Sequence, residues 1–138
     1  MYLTYNAVWA EPKIAPEDIE ITMYRGEECN CCVDWAEYLE EKGITVIDEK
    51  VSDLQQIKTE RGIPGAMNSS HTAVVDGYIV GEHVPADDIL RMVAQQPDVI
   101  GIAVPGMPAG SPGMEVGHKE PYNVLLFDRD KYSVFAEY

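Results

Sequence analysis

The stretch His71-Thr72-Ala73-Val74-Val75-Asp76-Gly77-Tyr78-Ile79-Val80 constrains this chain more than any other. Two apolar, β-branched runs flank an Asp-Gly pair, which suits the two-residue turns whose central positions both need positive φ. The pattern predicts a hairpin with strands at His71–Val75 and Tyr78–His83. An antiparallel pair is thereby set, and the rest of the chain must be arranged around it.

Upstream, Ile19 to Tyr24 alternates apolar with polar residues as a strand does, and Gly26 punctuates it. Cys32, Val33, Ala36 and Leu39 then recur at helical spacing, with Gly43 as a stop. Ile44 to Val51 reads as a second strand, and Leu54 to Glu60 as a short helix ended by Gly62, Pro64 and Gly65. Downstream of the hairpin, Pro85 at a first helical position and Asp87 and Asp88 in the first turn open a helix to about Gln96. The order βαβαββα predicts an α/β fold: a thioredoxin-like mixed sheet with helices on both faces.

Two segments lie outside that order. Residues 101–117 contain eight Gly or Pro, too many for a helix, and read as a long irregular loop; Tyr122 to Tyr138 reads as a β-hairpin turning at Asp128–Lys131. Residues 1–18, with Pro12 and Pro16, read as an extended lead-in, and 19–138 as a single thioredoxin-like domain.

With 24 acids against 10 bases the chain carries a net charge of −14, which disfavours nucleic-acid phosphate and anionic membranes as partners and favours cations. No apolar run reaches the roughly 18 residues needed to span a bilayer. The opening MYLTYNAVWAEP has no basic start and apolar centre of a secretory signal, so composition leaves the compartment open.

All three cysteines, Cys29, Cys31 and Cys32, fall within four positions at the predicted start of the first helix. Three thiols cannot all pair internally, and bridges between such close neighbours are strained, so the cluster points to chemistry rather than stapling. Cys29 and Cys32 keep the Cys-x-x-Cys spacing of thiol-disulfide oxidoreductases, with Cys31 added. The helix dipole favours a thiolate by only about 0.3–1 kcal/mol. A coordinated soft metal deprotonates thiols outright and contributes on the order of 10 kcal/mol. Magnitude favours metal.

Candidate partners for the thiols are His71, in the loop that a thioredoxin-like domain turns toward its cysteines, and His83 at the end of the same hairpin. Met107 and Met114 follow in the Gly/Pro-rich loop. Thioethers are ligands that copper(I) accepts and zinc rarely does, so the donor set suggests copper. A structural zinc site, a thioredoxin-like oxidoreductase in which Cys29 attacks and Cys32 resolves, and a copper metallochaperone remain alternatives. Singly, each histidine is an ordinary surface or core residue and each methionine a gap-filler.

Over residues 19–138 the chain resembles the bacterial CopG-like copper-resistance family, through CNCC at 29–32, SSHTAVVDGYIVGEHVPADDI at 69–89, GIAVPGMPAGSPGME at 101–115 and PYNVLLFDRD at 121–130. The resemblance implies a thioredoxin-like fold, a periplasmic setting with the cytoplasm as the alternative, and a cysteine-bridged site for several copper ions, interconverting copper(I) and copper(II) as a copper oxidoreductase would. Other copper-handling proteins are implied as partners. It matches Cys29, Cys31, Cys32, His71, His83, Met107 and Met114 to the family's ligand motifs. Two positions depart from the pattern: Ser70 stands where relatives commonly carry cysteine, and Gly81-Glu82 precedes His83 where relatives read Glu-Gly.

Overall fold

The computed structural model describes residues 14–26, 30–61, 71–81 and 83–138, apart from the side chains at 30–32 and 71. Cys29, Ser70, Glu82, the breakers Gly62, Pro64 and Gly65, and the lead-in through residue 13 lie outside the described residues.

A 3₁₀ turn at Pro16–Asp18 leads into β1 (Glu20–Arg25), α1 (Asn30–Glu41), β2 (Thr45–Lys50), α2 (Leu54–Glu60), β3 (His71–Val75) and β4 (Tyr78–Val80). Next come α3 (Ala86–Gln95), β5 (Gly101–Ala103), β6 (Asn123–Phe127) and β7 (Tyr132–Glu137). All seven strands form one sheet in the order β2-β1-β3-β4-β5-β6-β7. Its first four strands make the thioredoxin-like core: β1 and β2 are parallel across α1, β3 runs antiparallel to β1, and β4 antiparallel to β3. The parallel β5 and the antiparallel β6–β7 hairpin extend that core beyond β4.

The hairpin turn forms as its residues require, with Asp76 at φ 48 and Gly77 at φ 82. α1 buries Trp35, Ala36 and Leu39 along one stripe and ends in a Schellman arrangement. There Ile44 N–H donates to the Leu39 carbonyl and Gly43 N–H to the Glu40 carbonyl, with Gly43 at φ 93. α3 buries Ala86, Ile89, Met92 and Val93, and ends where Gln96 adopts the left-handed conformation at φ 53. The stripes of α1 and α3 meet Ile21, Met23, Ala73, Val75, Val80 and their neighbours in one core cluster. Ile79 of β4 and alternate residues of the extension, Ala103, Leu125 and Phe127, form a smaller cluster.

Two sequence expectations need correction. The second hairpin strand stops at Val80 rather than His83. Gly81 N–H already pairs with the Ile102 carbonyl at 2.9 Å, and His83, at φ 67, turns the chain out of extended geometry. The segment 101–117 is not wholly irregular either, because Gly101–Ala103 is a buried strand paired parallel to β4. Three residues are too few to show a period of two. The remainder is a loop held by its own hydrogen bonds: Ser111 Oγ donates to the Pro108 carbonyl at 2.7 Å, and Gly110 N–H to the Met114 carbonyl at 2.8 Å.

Candidate metal centre

The segment leading to the cysteines follows β1 after Arg25, whose position is fixed from two sides. Its guanidinium, on a side chain only 9% exposed, holds Asp48 of β2 through two bonds, Nε to Oδ1 at 2.7 Å and Nη2 to Oδ2 at 2.8 Å. Its carbonyl accepts from Val51 N–H at 2.9 Å. The same bonds hold the Asp48 carboxyl below its ordinary range. A depressed carboxylate pKa contributes stability above the unfolded value of about 3.9, and that contribution disappears as pH falls through the folded value. Asp48→Asn therefore costs roughly 1 kcal/mol at neutral pH, a figure reduced by the exposure of Asp48 to solvent, and close to nothing in acid. Urea unfolding of both proteins at pH 7 and below the carboxylate range checks this; an equal difference at both pH values contradicts it.

Cys31 and Cys32 occupy the first turn of α1, at the sheet end where β1 delivers the chain. The register Arg25↔His71 sets the first residue of β3 directly beside the last residue of β1. The backbone thus brings the thiol-bearing turn and His71 to one end of adjacent strands.

His83 arrives by a different route. Trp35, fully buried one turn after the thiols, donates from Nε1 to the Val84 carbonyl at 3.0 Å. This bond pins the segment bearing His83 to the first half of α1. Tyr38 adds a second tie, because its hydroxyl accepts from Ala86 N–H at 2.9 Å at the start of α3. Burial, and the negative charges of Asp87, Asp88 and Glu115, push the Tyr38 phenol above its ordinary pKa, which keeps it a neutral hydroxyl.

The His83 ring is itself completely buried, and its Nδ1 lies 2.6 Å from the Pro112 carbonyl. Facing a carbonyl, Nδ1 donates, so a neutral ring carries its lone pair on Nε2. A backbone carbonyl behind one imidazole nitrogen is the usual support for a ring that binds metal through the other. The non-glycine left-handed backbone at His83 costs of order 1–3 kcal/mol, a kind of strain that concentrates at functional sites.

Pro112 belongs to the same bonded loop as the partly buried Met114, so contact with His83 also delivers Met114's segment. Met107 lies elsewhere: it is 53% exposed and lines a groove with Tyr122, Leu125, Tyr132 and Val134. Among the described residues, no histidine or cysteine lines that groove. Among the described residues, no three His, Cys, Asp or Glu side chains converge as a metal site.

Four residues missing from the sequence reading therefore organise this end of the molecule: Arg25, Trp35, Tyr38 and Pro112. Trp35 had a usable signal, a large aromatic at helical spacing from two thiols. Pro112 had none, since its role is carried by a carbonyl that every residue possesses.

Comparison with known proteins agrees with this architecture. A family described as "Protein of unknown function, DUF411" matches residues 67–114. Two solved structures of copper resistance protein CopG resemble the chain closely. Form 2 is 44% identical, with a TM-score of 0.81 and coverage of 87% of this chain and 98% of its own. Form 1 is 43% identical, with a TM-score of 0.80 and coverage of 93% and 98%. No curated protein matches.

Proposed function

Because the chain belongs to the copper resistance protein CopG family, we propose that it holds copper ions through Cys29, Cys31 and Cys32, with His71, His83 and Met114 closing the site. The observation that carries this reading is the support of His83. A buried imidazole held from behind by the Pro112 carbonyl belongs to a segment that Trp35 ties to the thiol-bearing helix. Histidine, thiolate and thioether donors together suit copper better than zinc.

Adjacent thiolates favour several bridged copper(I) ions over one chelated ion, because neighbouring positions on a helix cannot all turn toward a single centre. Ser70, in place of the family's usual cysteine, gives this chain one fewer bridging thiol. The role is sequestration of copper in the periplasm under copper stress, with exchange between copper(I) and copper(II).

The test is to load the full chain with copper(I) without oxygen and measure copper per chain together with free thiols. More than one copper per chain, and thiols masked until a copper(I) chelator is added, is the expected result. Replacing all three cysteines with serine reduces copper to background, and His83→Gln weakens binding while leaving the thiols competent. A copper-free protein that cycles a Cys29–Cys32 disulfide would make the chain a thiol oxidoreductase. Stoichiometric zinc that copper(I) does not displace would make the site structural. The appearance and loss of a copper(II) electron paramagnetic resonance signal on oxidation and reduction tests the redox exchange.

A further inference from the structure

We infer that Glu115 is a positioning residue for His83: its carboxylate acts through the peptide between Pro112 and Gly113 to hold the imidazole and to shift the bound copper toward copper(II). The inference rests on His83 being a copper ligand, as proposed above. Both ends of that peptide are bonded, each to a different partner. On one side the Pro112 carbonyl lies 2.6 Å from His83 Nδ1. On the other, Gly113 N–H donates to both oxygens of the Glu115 carboxylate, at 3.2 and 3.1 Å. Carboxylate, peptide and imidazole are therefore joined in series.

The local sequence allows this. Met114 N–H donates to the Ser111 carbonyl at 2.8 Å, closing a turn with Pro112 second and Gly113 third, and Gly113 has φ 88. Proline followed by a glycine at positive φ is what a type II turn requires. The central peptide of such a turn takes no part in the bond that closes it, so its carbonyl and N–H must find partners elsewhere. The turn is braced from behind. Ser111, fully buried, gives both its N–H, at 3.1 Å, and its hydroxyl, at 2.7 Å, to the Pro108 carbonyl. Next to Pro108, Ala109 N–H donates to Glu120 Oε1 at 2.9 Å, and Glu120 N–H to the Ala109 carbonyl at 3.0 Å. Rotating the 112–113 peptide away from the ring costs the Glu115 contact as well as the His83 one.

Hydrogen bonds in a chain polarise one another, by about 10–30% per bond. A carboxylate on the Gly113 N–H makes the Pro112 carbonyl oxygen more negative, and that oxygen then holds the Nδ1 proton more strongly. Nε2, the nitrogen that the proposed site gives to copper, becomes the better donor. A ligand histidine commonly has such a carboxylate directly behind it; here a peptide stands between them. The His83 ring is completely buried, whereas Glu115 is exposed. The interposed peptide brings the influence of the charge to the ring without the cost of burying a carboxylate. A more electron-rich nitrogen stabilises the doubly charged ion more than the singly charged one, so Glu115 favours copper(II).

Glu115→Gln and Glu115→Ala in the full chain are the test, with two readouts. The first needs no copper: the proton resonance of His83 Nδ1–H, assigned by its absence from His83→Gln. It should move upfield in both variants, further in Glu115→Ala. The second is the midpoint potential of the redox step that His83→Gln shifts in the copper-loaded protein. Removing a group that orients a metal ligand costs tenfold at the low end. Glu115→Ala should therefore lower the preference for copper(II) over copper(I) by about tenfold, equivalent to roughly 59 mV for one electron. Glutamine keeps an acceptor without the charge, and charged acceptors bind roughly twice as strongly as neutral ones, so Glu115→Gln should lose about threefold. Circular dichroism should be unchanged, because Glu115 is exposed. If Glu115→Gln matches the parent protein in both readouts, Glu115 only braces the turn and the inference falls. It also falls if the potential shifts while the His83 resonance stays in place, because the charge then acts through space rather than through the peptide. A parent protein that binds no copper, or a His83→Gln variant that shifts no redox step, overturns the proposed site and the tuning with it; that failure appears in the parent and the His83 variant, not in the Glu115 pair.

Discussion

Trp35→Ala destabilises the protein by about 3–5 kcal/mol, the range for removing a fully buried large aromatic, and disturbs the candidate metal centre at the same time. Both effects come from one side chain. The indole fills the core between α1 and the sheet, and its Nε1 holds the Val84 carbonyl at 3.0 Å. Its loss leaves a cavity, a buried Val84 carbonyl without its indole donor, and a His83 segment that has lost one of its two described ties to α1. Trp35→Phe separates these contributions: most of the volume remains, the hydrogen bond does not, and the cost falls to roughly 1–3 kcal/mol. Urea unfolding measures the stabilities. If both variants unfold like the parent protein, the Trp35–Val84 tie has no structural weight. Copper affinity should fall in Trp35→Phe even under conditions where the protein remains folded.

Gly101→Ala is expected to part the sheet between β4 and β5. A Cβ at this buried position would run into the Ile79 carbonyl oxygen, and would lie 2.8 Å from the carbonyl carbon and 2.9 Å from the Ile79 Cβ. Backbone cannot step aside as the end of a flexible side chain does. The junction is also short, with just two register pairs, Ile79↔Gly101 and Val80↔Ile102. Overpacking usually costs 1–3 kcal/mol, and this contact belongs at or above the top of that range, about 3 kcal/mol or more. Hydrogen exchange locates the damage. Amides of β5 and β6 should lose protection before those of β1 and β3, whereas uniform loss across the sheet would show that the extension and the core fold as one inseparable unit.

The parts of this architecture that were legible in the sequence are those whose causes are local. Asp76-Gly77 announces its turn because positive φ at two successive positions is a property of those residues. Gly43 announces the end of α1 for the same reason, and residues 54–60 become a helix over the span their pattern indicates. β5 escaped notice because it is three residues long and depends on β4 for its pairing. The site divided in the same way. Cys29, Cys31 and Cys32 are conspicuous through their spacing, and the histidines and methionines through their chemistry. The contacts that deliver them are not local: Trp35 reaches Val84 across 49 positions, and His83 reaches Pro112 across 29. No periodicity encodes a bond to a distant carbonyl, and Met107 and Met114, alike in sequence, end up in different surroundings.

The distance along the chain between the thiols and the Pro112 carbonyl sets an order of events during synthesis. Chains emerge N-terminus first, so the cysteines and the start of α1 leave the ribosome well before the loop that supports His83 exists. For that interval the thiols face their surroundings with half of their proposed cage missing. Copper captured then would sit on an open, exchangeable set of ligands, accessible to other thiols and to oxidants. Closure waits on contacts far apart in sequence, which form late. A chain built this way is better loaded after folding than during it, and its unfinished form is the one that needs a reducing or shielded environment.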